Sequence, residues 1–425
     1  MEPINIEPLG PGIEGCTLLA APFKTSRVAI YAYLPLEKES VAAYSMLALL
    51  LSNGCAAYPL PQDLTRRLDT LYGTSVSVDA AKSGDRLMVT ASVVFVDDAF
   101  LPEPVFADAV SLLQELFFRP AVDGEGFLES NFRREQRMQL EYIRGKINDK
   151  RAYVRERCSA AMCDGEPFGV SETGTLEQAE SLTRQAVFAA WKTMLATAFF
   201  RISVTAQKPH PEVFEAFSRE FSGIDRRGWQ RPAADTVAPP RPTPQRIDER
   251  LPVTQGKLAM GFRVLPAGND AVTAPVLVFS DLFGGSPHSR LFTNVREKQS
   301  LCYYCASSVV RRKGVLMVDS GVEFDKMERT EAAILTELDA MRQGAFTDED
   351  LSASKLALCG SLRGIRDSQT VTDRWFADRW FDDPRLTPED MMALVKGVTR
   401  EDVVRVANRV TLDTVYRLLG KEEAR

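Results

Sequence analysis

"RVAIYAYLPL", residues 27–36, has a second version at 257–266, "KLAMGFRVLP". The pairing of these two stretches decides the fold. Each alternates side chains with the period of two that a β-strand requires, so strands are predicted at 27–35 and 257–265. Pro35 pairs with Pro266, 231 positions on. Gly54, closing the apolar run "AYSMLALLLSNG", pairs with Gly285, closing "PVLVFSDLFGG", at the same spacing. Tyr72 in "RRLDTLYGTSVSV" and Tyr303 in "KQSLCYYCASSVV" repeat it a third time. Later, "LTRQAVFAAWKTMLATAFFRISV" (182–204) resembles "VTREDVVRVANRVTLDTVYRLL" (398–419) at a spacing of 216. One spacing kept over three landmarks and then shortened describes a tandem duplication with extra residues in the first copy. The repeat unit is far longer than a solenoid's.

The most Pro-rich stretch, "RRGWQRPAADTVAPPRPTPQRIDERLP" (226–252), lies between the copies and reads as a linker. It predicts an N-terminal domain over 1–225 and a C-terminal domain over 253–425. In each half the strand leads to a buried helix, about 40–52 and 270–283. A second helix follows in the first half, "PQDLTRRLDTLYG", with Pro61 at its start and Gly73 past its end. Two strands come next, turning at "KSGD" in the first half and at "RRKG" in the second. Amphipathic helices at 104–117 and 326–343 complete the pattern. Strands in one block and helices in another predict an α+β fold. It has two homologous halves, each with a mostly antiparallel sheet covered by helices on one face.

Composition narrows the function classes. A net charge of −6 with no basic run argues against nucleic acid as a partner. No apolar run approaches the ~18 residues of a membrane span. The first residues, "MEPINIEPLGPGIEG", lack the basic start and apolar stretch of a signal peptide. Seven cysteines without a framework spacing favour reduced thiols, hence a cytoplasmic location.

One stretch carries a sharper signal: "SRLFTNVREKQSLCYYCASS", residues 289–308. With the order of elements, it resembles the pitrilysin/insulinase superfamily of zinc peptidases, which includes the mitochondrial processing peptidases and their bacterial relatives. The resemblance implies halves of a clam-shell chamber. It also implies an arginine and a tyrosine in the pattern LR-x-x-x-x-L-x-Y, which "VREKQSLCY" matches with Arg296 and Tyr303. The family's zinc motif, H-x-x-E-H, stands a few residues before a glycine on the first buried helix. Here that place holds Ser45, Met46, Leu47, Ala48 and Leu49, ahead of Gly54. Two imidazoles one helical turn apart must share the metal, and a glutamate must activate water. Ser45, Ala48 and Leu49 can do neither. The family's third ligand, a later glutamate, would fall in "RREQRMQLEYIRG", where Glu135 and Glu141 read as solvated helix residues. This chain is therefore expected to hold no metal or other cofactor, and the zinc is implied in a partner.

No second catalytic set replaces it. His210, between prolines, reads as a solvated loop residue, and His288 as surface or a helix N-cap. Cys302 and Cys305 form a C-x-x-C without the second half of a zinc knuckle. Three residues apart on a strand, they share a sheet face only imperfectly. They and "CSAAMC" (158–163) read as core thiols. No nucleophile elbow, P-loop or dinucleotide fingerprint occurs. Arg296 and Tyr303 remain: a guanidinium and a phenol aimed at one point hold a carbonyl and stabilise an oxyanion. The structural alternative is an arginine paired near Glu297 or capping a helix end, and a core tyrosine. Two functions are weighed. In one, this chain is the zinc-free subunit of a heterodimer whose paralogous partner bears H-x-x-E-H, acting on unfolded peptides bound by strand addition. In the other, it is a catalytically inactive homodimer serving as a peptide-binding or scaffold protein.

Overall fold

The structure, a computed structural model, describes residues 4–20, 22–264 and 270–421. Pro266 lies outside the described residues. Eight strands fall in the first half: β1 (Asn5–Gly10), β2 (Ile13–Leu19), β3 (Thr25–Pro35), β4 (Ser75–Ser83), β5 (Arg86–Val96), β6 (Val122–Asp123), β7 (Gly126–Phe127) and β8 (Phe199–Ala206). Six of them make one sheet in the order β1-β2-β8-β3-β5-β4, and β6 pairs with β7 separately. The second sheet uses β9 (Gln245–Leu251), β10 (Gly256–Arg263), β11 (Cys302–Val310), β12 (Val315–Val322) and β13 (Thr411–Gly420). Its order is β11-β12-β10-β13-β9. From the hairpin edge inward, β4-β5-β3-β8-β2 is thus repeated strand for strand. In each sheet one pair is parallel, β2 with β8 and β9 with β13, and the other pairs are antiparallel. The duplicated α+β design is present in the topology itself.

The two compact units are not two consecutive stretches of chain. One comprises residues 1–144, 170–234 and 368–378, the other 145–169, 235–367 and 379–425. Each sheet thereby gains one helix from the other copy's sequence.

In the first unit, β3 shows why. Val28, Ile30, Ala32 and Leu34 join a core with helix α1 (Val41–Ser52) and with Leu113, Leu116 and Met194 of later helices. The alternate residues Arg27, Tyr31 and Tyr33 are no more than 3% exposed, although they point to the opposite face. There the helix Gln369–Ala377 covers them: Asp373 accepts from Arg27 and Tyr31, and Tyr33 donates its hydroxyl to the Ala377 carbonyl at 3.1 Å. The expectation of helices on one face is corrected here, because this sheet is covered on both.

The second unit repeats the arrangement with the helix Lys150–Met162. Its Cys158 Sγ lies 3.7 Å from the Ala259 carbonyl of β10, and Arg151 and Arg155 reach Asp319 of β12. Gly261 of β10 permits the approach, since a Cβ there would stand 2.6 Å from Met162 Sδ.

The stretch expected as a linker over 226–252 is shorter than its composition suggests. The units divide between Ala234 and Asp235, and Gln245–Leu251 is β9, paired parallel with β13. Its sequence, QRIDERL, is an edge strand that alternates exposed and half-buried positions, so it has no apolar run to announce it. No helix among the described residues is long and apolar enough to cross a membrane.

Candidate functional site

Arg296 and Tyr303 come together on the second unit. The helix predicted over 270–283 is regular for Asp270–Ser280, then widens into a π-helical turn at Asp281–Gly285. A second π-helical segment, Leu291–Lys298, carries Arg296. Such wide turns re-aim side chains and recur at functional sites. The chain then reverses through Ser300, whose φ of +50° is left-handed, and enters β11. Cys302 pairs with Val322 and Tyr304 with Gly321, which leaves Tyr303 as the extra residue of a β-bulge.

The Arg296 Nε–H donates to the Tyr303 main-chain carbonyl at 2.9 Å, and the guanidinium carbon sits 4.5 Å from the centre of the Phe292 ring. Its Nη1 lies 2.8 Å from Glu297 Oε1. The Tyr303 side chain is 58% exposed, and its hydroxyl donates to Glu323 Oε1 at 3.3 Å. Both donors thus meet carboxylates at the surface. Exposed pairs of this kind contribute at most about 1 kcal/mol, so a ligand carbonyl can take their place at small cost. The bond through Nε meanwhile anchors the arginine to the strand that follows it.

The first half offers no equivalent. Thr65, at the arginine's repeat position, spends its hydroxyl on the Pro61 carbonyl at 2.9 Å. Tyr72 has a φ of +56° in the turn before β4, the place that Ser300 fills in the second half. The constant spacing that pairs Tyr72 with Tyr303 therefore does not extend to their backbone positions.

At the zinc-motif position, Ser45, Ala48 and Leu49 lie on α1, with Ala48 in the core and the other two half-buried. Ala48 and Leu49 carry no donor atom. Glu141 is exposed, as expected for a solvated helix residue. Glu135 is not: it is 4% exposed, on the inward stripe that also holds Phe132, Gln136 and Gln139. Its carboxylate accepts from Arg134 Nε at 2.7 Å. The residues present do not fit a zinc ion. Among the described residues no group of three or more His, Cys, Asp and Glu could hold a metal.

The two histidines are placed apart from any such chemistry. His288 is exposed. His210, expected in solvent, is 6% exposed instead. Its ring stacks on Phe106 at 3.9 Å, with Nδ1 2.7 Å from Glu212 Oε1. That stacking partner comes from the apolar helix after β5, about a hundred residues earlier, and a short loop sequence carries no sign of it. Cys158 and Cys163 are buried, as core thiols should be.

Comparison with known proteins agrees with the missing zinc ligands at Ser45, Ala48 and Leu49. Residues 181–358 match the family described as peptidase M16 inactive domain. The chain is similar to the probable inactive metalloprotease YmfF of Bacillus subtilis (strain 168), 29% identical over 404 residues, which covers 95% of this chain and 94% of that protein. A conserved protein from Enterococcus faecalis V583 has a crystal structure that matches with a TM-score of 0.93 at 25% identity, over 100% of both chains. A peptidase M16 inactive domain from Pseudomonas fluorescens shares the fold, with a TM-score of 0.80 at 16% identity over 99% of each chain.

Proposed function

Because this chain belongs to the pitrilysin (M16) superfamily of peptidases and lacks its zinc motif, we propose that it is the zinc-free subunit of a two-chain peptidase. Its contribution is Arg296 and Tyr303, offered to the active site of a paralogous subunit that bears H-x-x-E-H. The observation that carries this reading is the tie between the two residues: the Arg296 Nε–H is bonded to the carbonyl of the bulged Tyr303, so a half-buried guanidinium and an exposed phenol are held on one segment. The partner's zinc would supply the activated water. This chain's side chains would do the rest of the work on the substrate. The guanidinium and the phenol donate to the carbonyl oxygen of an unfolded peptide, orient it, and stabilise the negative charge that grows there. Donors fixed in advance act most strongly because little reorganisation is needed as charge develops. The peptide backbone would be held by strand addition at a sheet edge.

Two observations favour the alternative of an inactive, homodimeric peptide-binding protein. Arg296 and Tyr303 already have the carboxylates Glu297 and Glu323 as partners, and the relative YmfF is described as a probable inactive metalloprotease. Capture separates the two. The tagged chain is eluted from its native cells with its companions and tested on a quenched, unstructured peptide, with and without a chelator. Chelator-sensitive cleavage that the recombinant chain lacks supports the heterodimer. Elution of the chain with itself alone, without cleavage, discards it.

A further inference from the structure

The bulge at Tyr303 has a second effect, on the cysteines either side of it. In a regular strand, residues three apart point to opposite faces and their Cα atoms stand about 10 Å apart. Here Cys302 opposes Val322 and Cys305 opposes Ser320, and those partners are only two residues apart on β12. Directly opposed residues share a face, and residues two apart on one strand share a face. Cys302 and Cys305 therefore lie on the same side of the sheet, with Cα atoms separated by about two strand steps, or ~6.6 Å. That is the upper end of what a disulfide spans, about 4.4–6.8 Å. The expectation that these thiols share a face only imperfectly is corrected by the extra residue.

The surroundings fit exchange chemistry. Of the seven cysteines, Cys302 is the one that is not buried, whereas Cys305 beneath it is. Ser320, directly opposite Cys305 on β12, donates its hydroxyl to the Tyr304 carbonyl between the two cysteines at 2.7 Å. The neighbouring Cys305 holds the Cys302 thiol below its ordinary value, helped by Ser320 and by the Arg296 charge, while the same proximity and burial push Cys305 well up. An accessible thiolate beside a protected thiol is the arrangement of an attacking and a resolving cysteine.

We propose that Cys302 and Cys305 form a reversible dithiol–disulfide site, oxidised by a low-molecular-weight disulfide of the glutathione kind. The Cys302 thiolate attacks one sulfur of the small disulfide; its S–S bond breaks and one small thiolate leaves. Cys305 gives its proton to solvent and attacks the Cys302 sulfur, which expels the second small thiolate. The net change is two protein thiols and one small disulfide converted to one protein disulfide and two small thiols. With Cys302 not buried, the bond is open to attack by small thiols and is readily reduced, as exposed regulatory disulfides are. It closes a ring around Tyr303 and fixes the bulge from which that side chain projects. The site stands whether or not Arg296 and Tyr303 serve a partner.

The test uses the full chain, equilibrated in buffers from reduced to oxidised glutathione, quenched with an alkylating agent and mapped by peptide mass. The expected result is one peptide, carrying both cysteines, that escapes alkylation and loses the mass of two hydrogens in oxidising buffer. Dithiothreitol should restore it. In Cys305→Ser, Cys302 should stop at the glutathione adduct, and in Cys302→Ser, Cys305 should remain a free thiol. Alkylation of both cysteines of the wild type in fully oxidised buffer overturns the site. So does a folded Cys305→Ser chain that takes up no more glutathione adduct than wild type. The wild-type mapping needs no substitution, so it decides for or against the site even where a variant fails to fold.

Discussion

Arg201 and Asp373, 172 residues apart in the chain, form an ion pair at 2.7 Å in which neither side chain has any exposed surface. Arg201 lies on β8 of the first sheet, and Asp373 on the helix that the second half of the sequence contributes to the same unit. The carboxylate also accepts from Arg27, from Ser203 at 2.6 Å and from Tyr31 at 2.6 Å. It stands between two buried guanidiniums, which the Tyr31 ring also faces, at 5.0 Å from Arg201 and 5.9 Å from Arg27. The helix is thus tied to the sheet by charge as much as by apolar contact.

Removing that acid should be costly. Asp373→Asn keeps the volume but removes the negative charge that faces two buried cations, a change worth about 3–5 kcal/mol. Urea unfolding should show the loss as a lower midpoint. A midpoint equal to that of wild type would mean that the network contributes nothing net.

The same network sets a pH dependence. Burial alone would raise the Asp373 carboxyl, but Arg201 and Arg27 outweigh it, with help from Ser203 and Tyr31, and hold it below its ordinary value. A depressed acid stabilises the fold fully above its unfolded value, near 4, and the contribution fades as pH falls through the folded value. The gap in stability between wild type and Asp373→Asn should therefore narrow from about pH 5 to about pH 3. Midpoints that stay equally far apart across that range would contradict the assignment.

In the second unit, Asp319 is 1% exposed, while its partners Arg151 and Arg155, at 2.5 and 3.0 Å, are 46% and 37% exposed. The two sides of the pair are unequal. Asp319→Asn frees arginines that can rehydrate, and screening keeps its cost to about 1–2 kcal/mol. The double change Arg151→Ala and Arg155→Ala strands a buried carboxylate and should destabilise by more, about 3 kcal/mol. Chemical denaturation of both variants checks the order. The reverse order would show that Asp319 is reached by water.

If this chain serves an H-x-x-E-H partner, Arg296→Ala and Tyr303→Phe should each lower the partner's kcat by about 10²–10³, as the loss of one oxyanion donor does, with KM nearly unchanged. Co-purification of the two chains should be unaffected, since Tyr303 is exposed and Arg296 half-buried, and neither belongs to the core. Unchanged turnover with either variant would remove these residues from the chemistry.

Close packing gives a further test. Gly261→Val in β10 places side-chain atoms where Met162 and Cys158 now sit, and overpacking of this kind costs about 1–3 kcal/mol. A thermal midpoint at or above that of wild type would show that the helix Lys150–Met162 shifts freely.

How much of the molecule is legible in the sequence follows from what each feature depends on. The strands at 27–35 and 257–265 and the turns at "KSGD" and "RRKG" are readable, because period-two alternation and turn chemistry are properties of neighbouring residues. Strand β9 is not: an edge strand with solvated charges shows no apolar run. Arg27 and Tyr31 are visible inside an apolar strand, yet nothing near them announces Asp373, 346 and 342 residues away. Glu135 reads as solvated because its neighbours are charged, and only the packing of its helix turns it inward.

The sequence by itself determined the duplication, the α+β class, the loss of the zinc ligands at Ser45, Ala48 and Leu49, and the Arg296–Tyr303 spacing. These are written in residue type and local order, which folding cannot alter. The tertiary structure alone decided which copy's helix covers which sheet, the burial of Glu135 and His210, and the bulge that puts Cys302 beside Cys305. Those depend on contacts between residues far apart in the chain, and such contacts are selected by the free energy of the whole packed unit rather than by any local pattern.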